Sequence, residues 1–187
     1  MVFQKLLKKL ANILDESNIP YMVIGGQAVL LYGEPRLTRD IDITLGIGTD
    51  EFKRAMDCVS NISLKILVDT PEKFVKETMV LPAIDEKTGI RVDFIFSFSL
   101  YERSAIKRAK NVELGKTTVK FASLEDLIIH KIIAGRARDI EDIKTILLKN
   151  QDYDTKYIAS WLKEFDISLG ENFSGKFKKI VDEVIIK

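Results

Sequence analysis

The stretch YMVIGGQAVLLYGEPRLTRDIDITL, residues 21–45, decides the fold of this chain of 187 residues. A strand-forming run opens it and ends at Gly25-Gly26, after which an apolar segment has the character of a short helix. Following a turn that contains glycine and proline, a second strand carries Asp40 and Asp42. The pattern predicts a strand, a glycine turn, a helix and a second strand in direct succession.

The glycine pair lies where a strand passes into a helix, and that position has a chemical use. Because glycine has no β-carbon, the backbone can turn sharply there and bring its N–H groups close to a bound group. Unpaired N–H donors and the helix dipole at a helix N-terminus favour an anion such as phosphate. Gly25, Gly26 and Gln27 are therefore the predicted phosphate-binding residues.

The two aspartates of the second strand are predicted to project from the same face. Residues i and i+2 of a strand lie on one side, about 7 Å apart at Cα, so Ile41 and Ile43 face the opposite way into a core. Carboxylate oxygens suit Mg²⁺, which proteins usually hold with one or two carboxylates together with substrate phosphates. The alternative for Asp40 and Asp42 is a solvated acidic face beside an ordinary turn.

A strand, Gly25-Gly26, thirteen further residues and then Asp40-Ile-Asp42-Ile together resemble the signature of the polymerase-β-type nucleotidyltransferase superfamily. The resemblance implies that the glycine pair cradles a nucleoside triphosphate and that the two aspartates bind catalytic Mg²⁺, with Mn²⁺ as a substitute. Two ions and a third carboxylate on a later strand are also implied.

Asp93 is the predicted third carboxylate. The run 90–97 reads as a strand of a hairpin, in which residues 91, 93 and 95 share one face. A lone carboxylate in so apolar a strand requires a partner. The superfamily has its third metal carboxylate on a strand of this kind downstream of the aspartate pair, so the resemblance implies a catalytic and metal-binding set of Asp40, Asp42 and Asp93. The alternative for Asp93 is an exposed edge residue paired with Arg91 or with a neighbouring lysine.

Two later helices each carry a charge on an otherwise apolar face. At 100° per residue, Lys131 falls within the apolar stripe of the helix 123–135, and Asp139 falls within that of the next helix. A buried Lys131–Asp139 pair that fixes the corner between the helices is one reading. The other has both residues contact the nucleotide.

The segment LEDLIIHKIIAGRARDIEDI, residues 124–143, resembles the later motifs of AbiEii-like nucleotidyltransferases, the enzyme half of type IV toxin–antitoxin pairs. That resemblance, which spans residues 20–145, implies that Lys131 and Asp139 are functional, and implies it more weakly for Arg138 and Asp142. It also implies transfer to tRNA and an antitoxin protein as a partner. Antibiotic nucleotidyltransferases acting on aminoglycosides or lincosamides share the glycine and aspartate arrangement and are the main alternative.

Arg36 and Thr38 precede the aspartate pair and complete the predicted nucleotide-binding set. The planar fork of Arg36 is suited to a phosphate, although an ordinary surface arginine fits the sequence equally well. A non-catalytic nucleotide-binding module of the same fold is the alternative from a different functional class.

Composition sets outer bounds. The formal net charge is +1 with 30% charged residues, so no overall field favours nucleic acid or membrane. A single cysteine and the lack of an apolar run of membrane length predict a cytoplasmic protein without membrane contact. The expected fold is α/β (α+β), a mixed β-sheet flanked by helices with a C-terminal helical bundle. Residues 1–122 are predicted to form the catalytic domain and residues 123–187 a helical region that completes the site.

Overall fold

A computed structural model describes residues 2–97 and 99–185. The strands, in chain order, are β1 (Tyr21–Ile24), β2 (Asp40–Leu45), β3 (Lys65–Ile66), β4 (Val80–Asp85), β5 (Ile90–Phe96), β6 (Lys110–Leu114) and β7 (Thr117–Phe121). The helices are α1 (Val2–Glu16), α2 (Gly25–Tyr32), α3 (Phe52–Asn61), α4 (Pro71–Thr78), α5 (Leu100–Lys107), α6 (Leu124–Ala134), α7 (Ala137–Lys149), α8 (Thr155–Leu169) and α9 (Phe173–Ile185), with a 3₁₀ turn at Thr49–Glu51.

The chain divides into two units, one of residues 1–27 with 37–122 and one of residues 28–36 with 123–187. In the first unit, the described strands form a seven-stranded sheet in the order β3-β4-β5-β2-β1-β7-β6. Strand β2 pairs parallel to β5 and antiparallel to β1, while β7 pairs parallel to β1. The predicted fold class, a mixed sheet with helices and a C-terminal helical region, is confirmed.

The core of the first unit follows from the alternation of its strands. Ile41 and Ile43 of β2 are fully buried, as are Val92, Phe94 and other apolar side chains of the neighbouring strand. Among the intervening residues, Asp40, Asp42 and Asp93 are half-buried, whereas Thr44 is buried and Arg91 is exposed. Burial of one face fixes the register, because a slip of one residue would expose the whole apolar set. The acidic residues of β2 are thereby held on the opposite face.

The second unit is built from amphipathic helices that pack through their apolar stripes, including Ile128 and Ile132 of α6 and Ile143 of α7. Helix α6 begins as predicted, because the Ser123 hydroxyl accepts the Asp126 backbone N–H at 3.1 Å. Gly135, at φ +61°, ends it in the left-handed conformation. Within the part of the chain that the structure describes, no helix is both long and apolar enough to cross a membrane.

Most predicted elements are observed within a few residues of their expected bounds. One detail differs. Helix α2 begins at Gly25, two residues earlier than expected, because the glycine pair already forms its first turn. Pro71 lies at the start of α4, where proline is favoured.

Candidate active site

The predicted phosphate-binding turn joins β1 directly to α2. Gly25 adopts φ +62°, in the left-handed region that side chains with a β-carbon rarely occupy. A β-carbon placed on Gly25 would lie 2.0 Å from Oδ2 of Asp42 and 2.9 Å from its Cγ. The backbone of the turn therefore lies directly against a carboxylate of β2, and the next residue, Gly26, is buried.

Strand register brings the predicted carboxylates together. In the parallel pair of β2 and β5, Asp42 is the register partner of Asp93, and Asp40 is the partner of Arg91. Neighbouring strands lie about 4.8 Å apart, and residues directly opposite each other share a face of the sheet. Asp40, Asp42 and Asp93 thus lie on one face, opposite to the buried Ile41.

Hydrogen bonds fix the surroundings of these carboxylates. The Thr38 hydroxyl donates to Oδ1 of Asp40 at 2.8 Å, and the buried Gln27 amide donates to the Asp40 carbonyl at 3.5 Å. Nη2 of Arg91 lies 3.3 Å from Oδ1 of Asp93. Thr38 and Gln27, both predicted nucleotide-binding residues, therefore orient the start of β2.

The donor set can be tested against a divalent cation. Among residues 2–97 and 99–185, no three His, Cys, Asp or Glu side chains are grouped so that they alone could hold a metal ion. Mg²⁺, however, is usually bound by one or two carboxylates and completed by phosphate oxygens and water. Adjacent carboxylates of Asp42 and Asp93 beside the glycine turn fit an ion that arrives with a triphosphate.

In the second unit, Lys131 of α6 is the centre of a buried ionic cluster. Its ammonium group lies 2.9 Å from Oδ1 of Asp139 and 2.6 Å from Oδ2 of Asp142, and its side chain is only 5% exposed. The predicted inward placement of Lys131 and Asp139 is observed. Both carboxylates belong to α7, where residues three apart lie on one face.

Two arginines enclose the same carboxylates. Nε of Arg136 lies 2.6 Å from Oδ2 of Asp139, and Nε of Arg36 lies 3.0 Å from Oδ1 of Asp142. Burial by itself raises the pKa of the Asp139 carboxyl, but the hydrogen bonds from Arg136 and Lys131 outweigh it and lower the pKa below its ordinary value near 3.8. Arg138 is exposed.

The sequence pattern indicates Asp142 only through its resemblance to a later family motif, and it does not identify Arg136 as a member of this cluster. Spacing contained a partial signal, because Asp142 lies three residues after Asp139 on the same helical face. Arg36, by contrast, lies 106 residues from Asp142 in sequence, and no local pattern predicts that contact. Its guanidinium, expected at a phosphate, is directed at Asp142.

The family described as "nucleotidyltransferase of unknown function" (DUF6036) matches residues 1–167. The chain belongs to this nucleotidyltransferase family. Membership agrees with the superfamily predicted from Gly25-Gly26 and the Asp40 and Asp42 pair. The match to this family does not test the predicted AbiEii-like subtype. Among curated proteins, none matches the sequence.

Solved structures share the fold of this nucleotidyltransferase. An antigenic nucleotidyltransferase-like protein from Paracoccidioides brasiliensis has a TM-score of 0.55 at 18% identity, covering 77% of this chain and 74% of its own. ANT(2″)-Ia in complex with adenylyl-2″-tobramycin has a TM-score of 0.55 at 18% identity, with 79% and 88% covered. The lincomycin-bound lincosamide antibiotic adenylyltransferase LnuA has a TM-score of 0.51 at 17% identity, with 72% and 90% covered.

Proposed function

We propose that this nucleotidyltransferase moves a nucleoside monophosphate from a nucleoside triphosphate to an acceptor hydroxyl, with release of pyrophosphate. The observation that carries the proposal is the register pairing of Asp42 with Asp93, beside a glycine whose missing β-carbon leaves its backbone against Asp42. Carboxylates at adjacent register positions can share one divalent cation, and Asp93 can do so while it also contacts Arg91. Such an arrangement is expected where a divalent cation and a triphosphate bind together.

The proposed metal ligands are Asp40, Asp42 and Asp93. Bound there, Mg²⁺ or Mn²⁺ would neutralise charge on the triphosphate and make the acceptor hydroxyl more acidic. The N–H groups of Gly25, Gly26 and Gln27 would hold phosphate oxygens at the start of α2.

The chain's own residues then act on the proton and on position. In the proposed reaction a bond forms between the acceptor oxygen and the α-phosphorus, and the bond from that phosphorus to the pyrophosphate oxygen breaks. The hydroxyl proton passes to the carboxylate of Asp93, which accepts a hydrogen bond from the half-exposed side chain of Arg91. Thr38 holds Asp40 in place. Most of the rate enhancement would come from orientation and charge neutralisation.

We propose that Lys131 and Asp139 contact the nucleotide only if a phosphate replaces one of the carboxylates that now bind Lys131. Lys131 is bound by two carboxylates in the structure, and Asp139 by Lys131 and Arg136. A phosphate that binds Lys131 must therefore replace Asp139 or Asp142 as its partner. That exchange is favourable only if the released carboxylate keeps its arginine, which both carboxylates have.

Two classes of acceptor are proposed, each on a different ground. The AbiEii-like resemblance over residues 20–145 favours tRNA, with an antitoxin protein as the partner of the chain. Two structures of the same fold carry an adenylylated tobramycin and lincomycin respectively, so an aminoglycoside or lincosamide hydroxyl is the second candidate. The net charge of +1 does not favour either.

The test is transfer of label from each of the four α-³²P nucleoside triphosphates, with Mg²⁺ or Mn²⁺, to total tRNA, to aminoglycosides or to lincosamides. We expect one acceptor class to take up label with matching pyrophosphate release, and Asp42→Asn to abolish both. Tight triphosphate binding without pyrophosphate release in any arm would overturn the enzymatic proposal in favour of a nucleotide-binding module.

A further inference from the structure

Residues 28–36 follow the glycine turn in sequence yet belong to the second unit. Side chains from the end of α7 bind their backbone. Nδ2 of Asn150 donates to the carbonyl of Tyr32 at 2.8 Å, and Nζ of Lys149 donates to the carbonyl of Gly33 at 3.1 Å. Lys149 also lies 2.8 Å from Oε1 of Glu34. The segment is therefore held at its carbonyl groups as well as by charge.

Arg36 provides a second attachment to the same helix. Its Nε lies 3.0 Å from Oδ1 of Asp142, and its Nη2 donates to Oδ2 at 3.1 Å. One hydrogen bond from Nη2 and one charge contact at Nε thus link Asp142 to a single guanidinium, although the Nε–H itself makes no hydrogen bond among the described residues. The two side chains are 21% and 7% exposed, so water competes little for this pair.

Gly33 shows how closely the segment approaches α7. A β-carbon on Gly33 would lie 3.0 Å from Oγ1 of Thr145 and 3.3 Å from Cγ1 of Ile146. Positions 142, 145, 146 and 149 lie on one helical face, since neighbours on a helix recur every three or four residues. One continuous face of α7 therefore contacts the segment from Tyr32 to Arg36.

We infer that this face of α7 is a clamp that positions the catalytic turn, and that Arg36 is a positioning residue of the enzyme and not a phosphate ligand. Here "clamp" denotes Asp142, Lys149 and Asn150 with the segment 32–36 that they bind. The inference rests on the proposed function, because it assigns the clamp to that same reaction.

Chain continuity connects the clamp to the reactive residues. Helix α2 runs without interruption from Gly25 to Tyr32, so holding its last residue restricts movement of the helix whose first residue is the predicted phosphate-binding glycine. At the other end of the segment, Arg36 precedes Asp40, the first residue of β2, by four positions. Loss of the clamp would loosen both elements without removing a group that touches the substrate.

Arg36→Gln and Lys149→Gln release the clamp at different points. The matched control is Lys144→Gln. Lys144 lies on the same helix, but its ammonium group binds Glu141 and Glu183 and not the segment 32–36. Its side chain is 29% exposed against 21% for Arg36. Kinetics of nucleotide transfer and amide hydrogen exchange over residues 27–39 are measured for all three variants and for Arg36→Lys.

We expect Arg36→Gln to lower kcat by about 10- to 100-fold, the scale of a misplacement of about 1 Å, with little change in KM for the triphosphate. Lys149→Gln should act in the same direction and more weakly, and both should accelerate exchange over residues 27–39. Arg36→Lys should recover part of kcat, because an ammonium group retains the charge but not the fork. Lys144→Gln should resemble the wild type in both readouts.

The opposite pattern would overturn the clamp. If Arg36 binds phosphate, Arg36→Gln raises KM for the triphosphate, while exchange over residues 27–39 and the kinetics of Lys149→Gln stay at wild-type values. If the wild type itself transfers no nucleotide, the proposed function fails, and the hydrogen-exchange measurement alone tests whether the clamp exists. Unchanged exchange in both variants then contradicts the clamp, and faster exchange supports it as a conformational restraint.

Discussion

Gly25 and Asp42 lie so close that no side chain fits between them. A β-carbon on Gly25 would lie 2.0 Å from the Asp42 carboxylate, and the backbone there has φ +62°. The register partner of Asp42 in β1 is Ile24, the residue that immediately precedes the glycine. A glycine at this position thus permits both the left-handed backbone conformation and the close approach of the turn to the carboxylate.

The first prediction concerns Gly25→Ala. A left-handed backbone costs an alanine about 1–2 kcal/mol, and the contact with Asp42 adds displacement of the carboxylate. We expect a loss of nucleotide transfer greater than about 100-fold, on the scale of about 1 Å of misplacement, together with reduced stability. Transfer rates and urea unfolding are the measurements.

Gly89→Ala is the matched control for that variant. Gly89 has φ +71° in the β4–β5 turn, and a β-carbon there would meet nothing within 4 Å. It should lose about 1 kcal/mol from backbone strain alone and retain transfer activity. Wild-type transfer by Gly25→Ala would show that the approach to Asp42 has no part in catalysis.

The second prediction concerns cation binding by Asp93. Without a divalent cation, Asp93→Asn should change stability by less than about 1 kcal/mol, because removal of like charge opposite Asp42 offsets loss of the exposed pair with Arg91. Mn²⁺ with a non-hydrolysable triphosphate should stabilise the wild type, by about 2.7 kcal/mol at a hundredfold excess over Kd, and the variant far less. Thermal unfolding with and without these ligands provides the measurement.

Asp57→Asn, in helix α3, controls for loss of a carboxylate elsewhere in the same unit. It should gain as much stability from Mn²⁺ and the triphosphate as the wild type does. Equal stabilisation of Asp93→Asn and the wild type would remove Asp93 from the proposed ligand set.

Local periodicity accounts for what the sequence predicted well. The alternation of β2 places Asp40 and Asp42 on one face, whereas the assignment of Asp93 to the same set depends on the resemblance to the polymerase-β-type superfamily. The helical period places Lys131 and Asp139 on apolar faces. In each instance a buried apolar face fixes the orientation of the polar residue next to it.

Contacts between distant elements could not be predicted in this way. Arg36 and Asp142 are 106 residues apart, and nothing in either local sequence specifies the other as a partner. For the same reason the sequence does not predict that residues 28–36 group with the C-terminal helices. Periodicity states which face of an element is apolar, whereas the identity of the element packed against it depends on the whole fold.

The third prediction compares two cations that bind the same carboxylate. Lys131 is 5% exposed and Arg136 is 77% exposed, yet each contacts Asp139. Lys131→Met should cost about 3 kcal/mol, the lower end for breaking a buried pair, because each carboxylate retains an arginine. Arg136→Gln should cost below about 1 kcal/mol, as exposed pairs do. Urea unfolding distinguishes the two, and equal losses would contradict a buried cluster.

The final prediction concerns acid. The hydrogen bonds from Arg136 and Lys131 hold the pKa of Asp139 below its ordinary value near 3.8 in the folded protein. A depressed pKa contributes stability that is fully present above the unfolded value and is lost as pH falls through the folded value. The stability difference between wild type and Asp139→Asn should therefore be constant from about pH 7 to about pH 5 and shrink below about pH 4.

Melting temperatures of both proteins across that range measure this difference, and taking the difference cancels the carboxylates that titrate in both. Asp152→Asn, at an exposed position of the same unit, is the control and should show a small difference at every pH. A gap between wild type and Asp139→Asn that widens on acidification would mean that the folded protein binds the proton at Asp139 more tightly than the unfolded chain. In that event burial, and not the two cations, would control the carboxyl group.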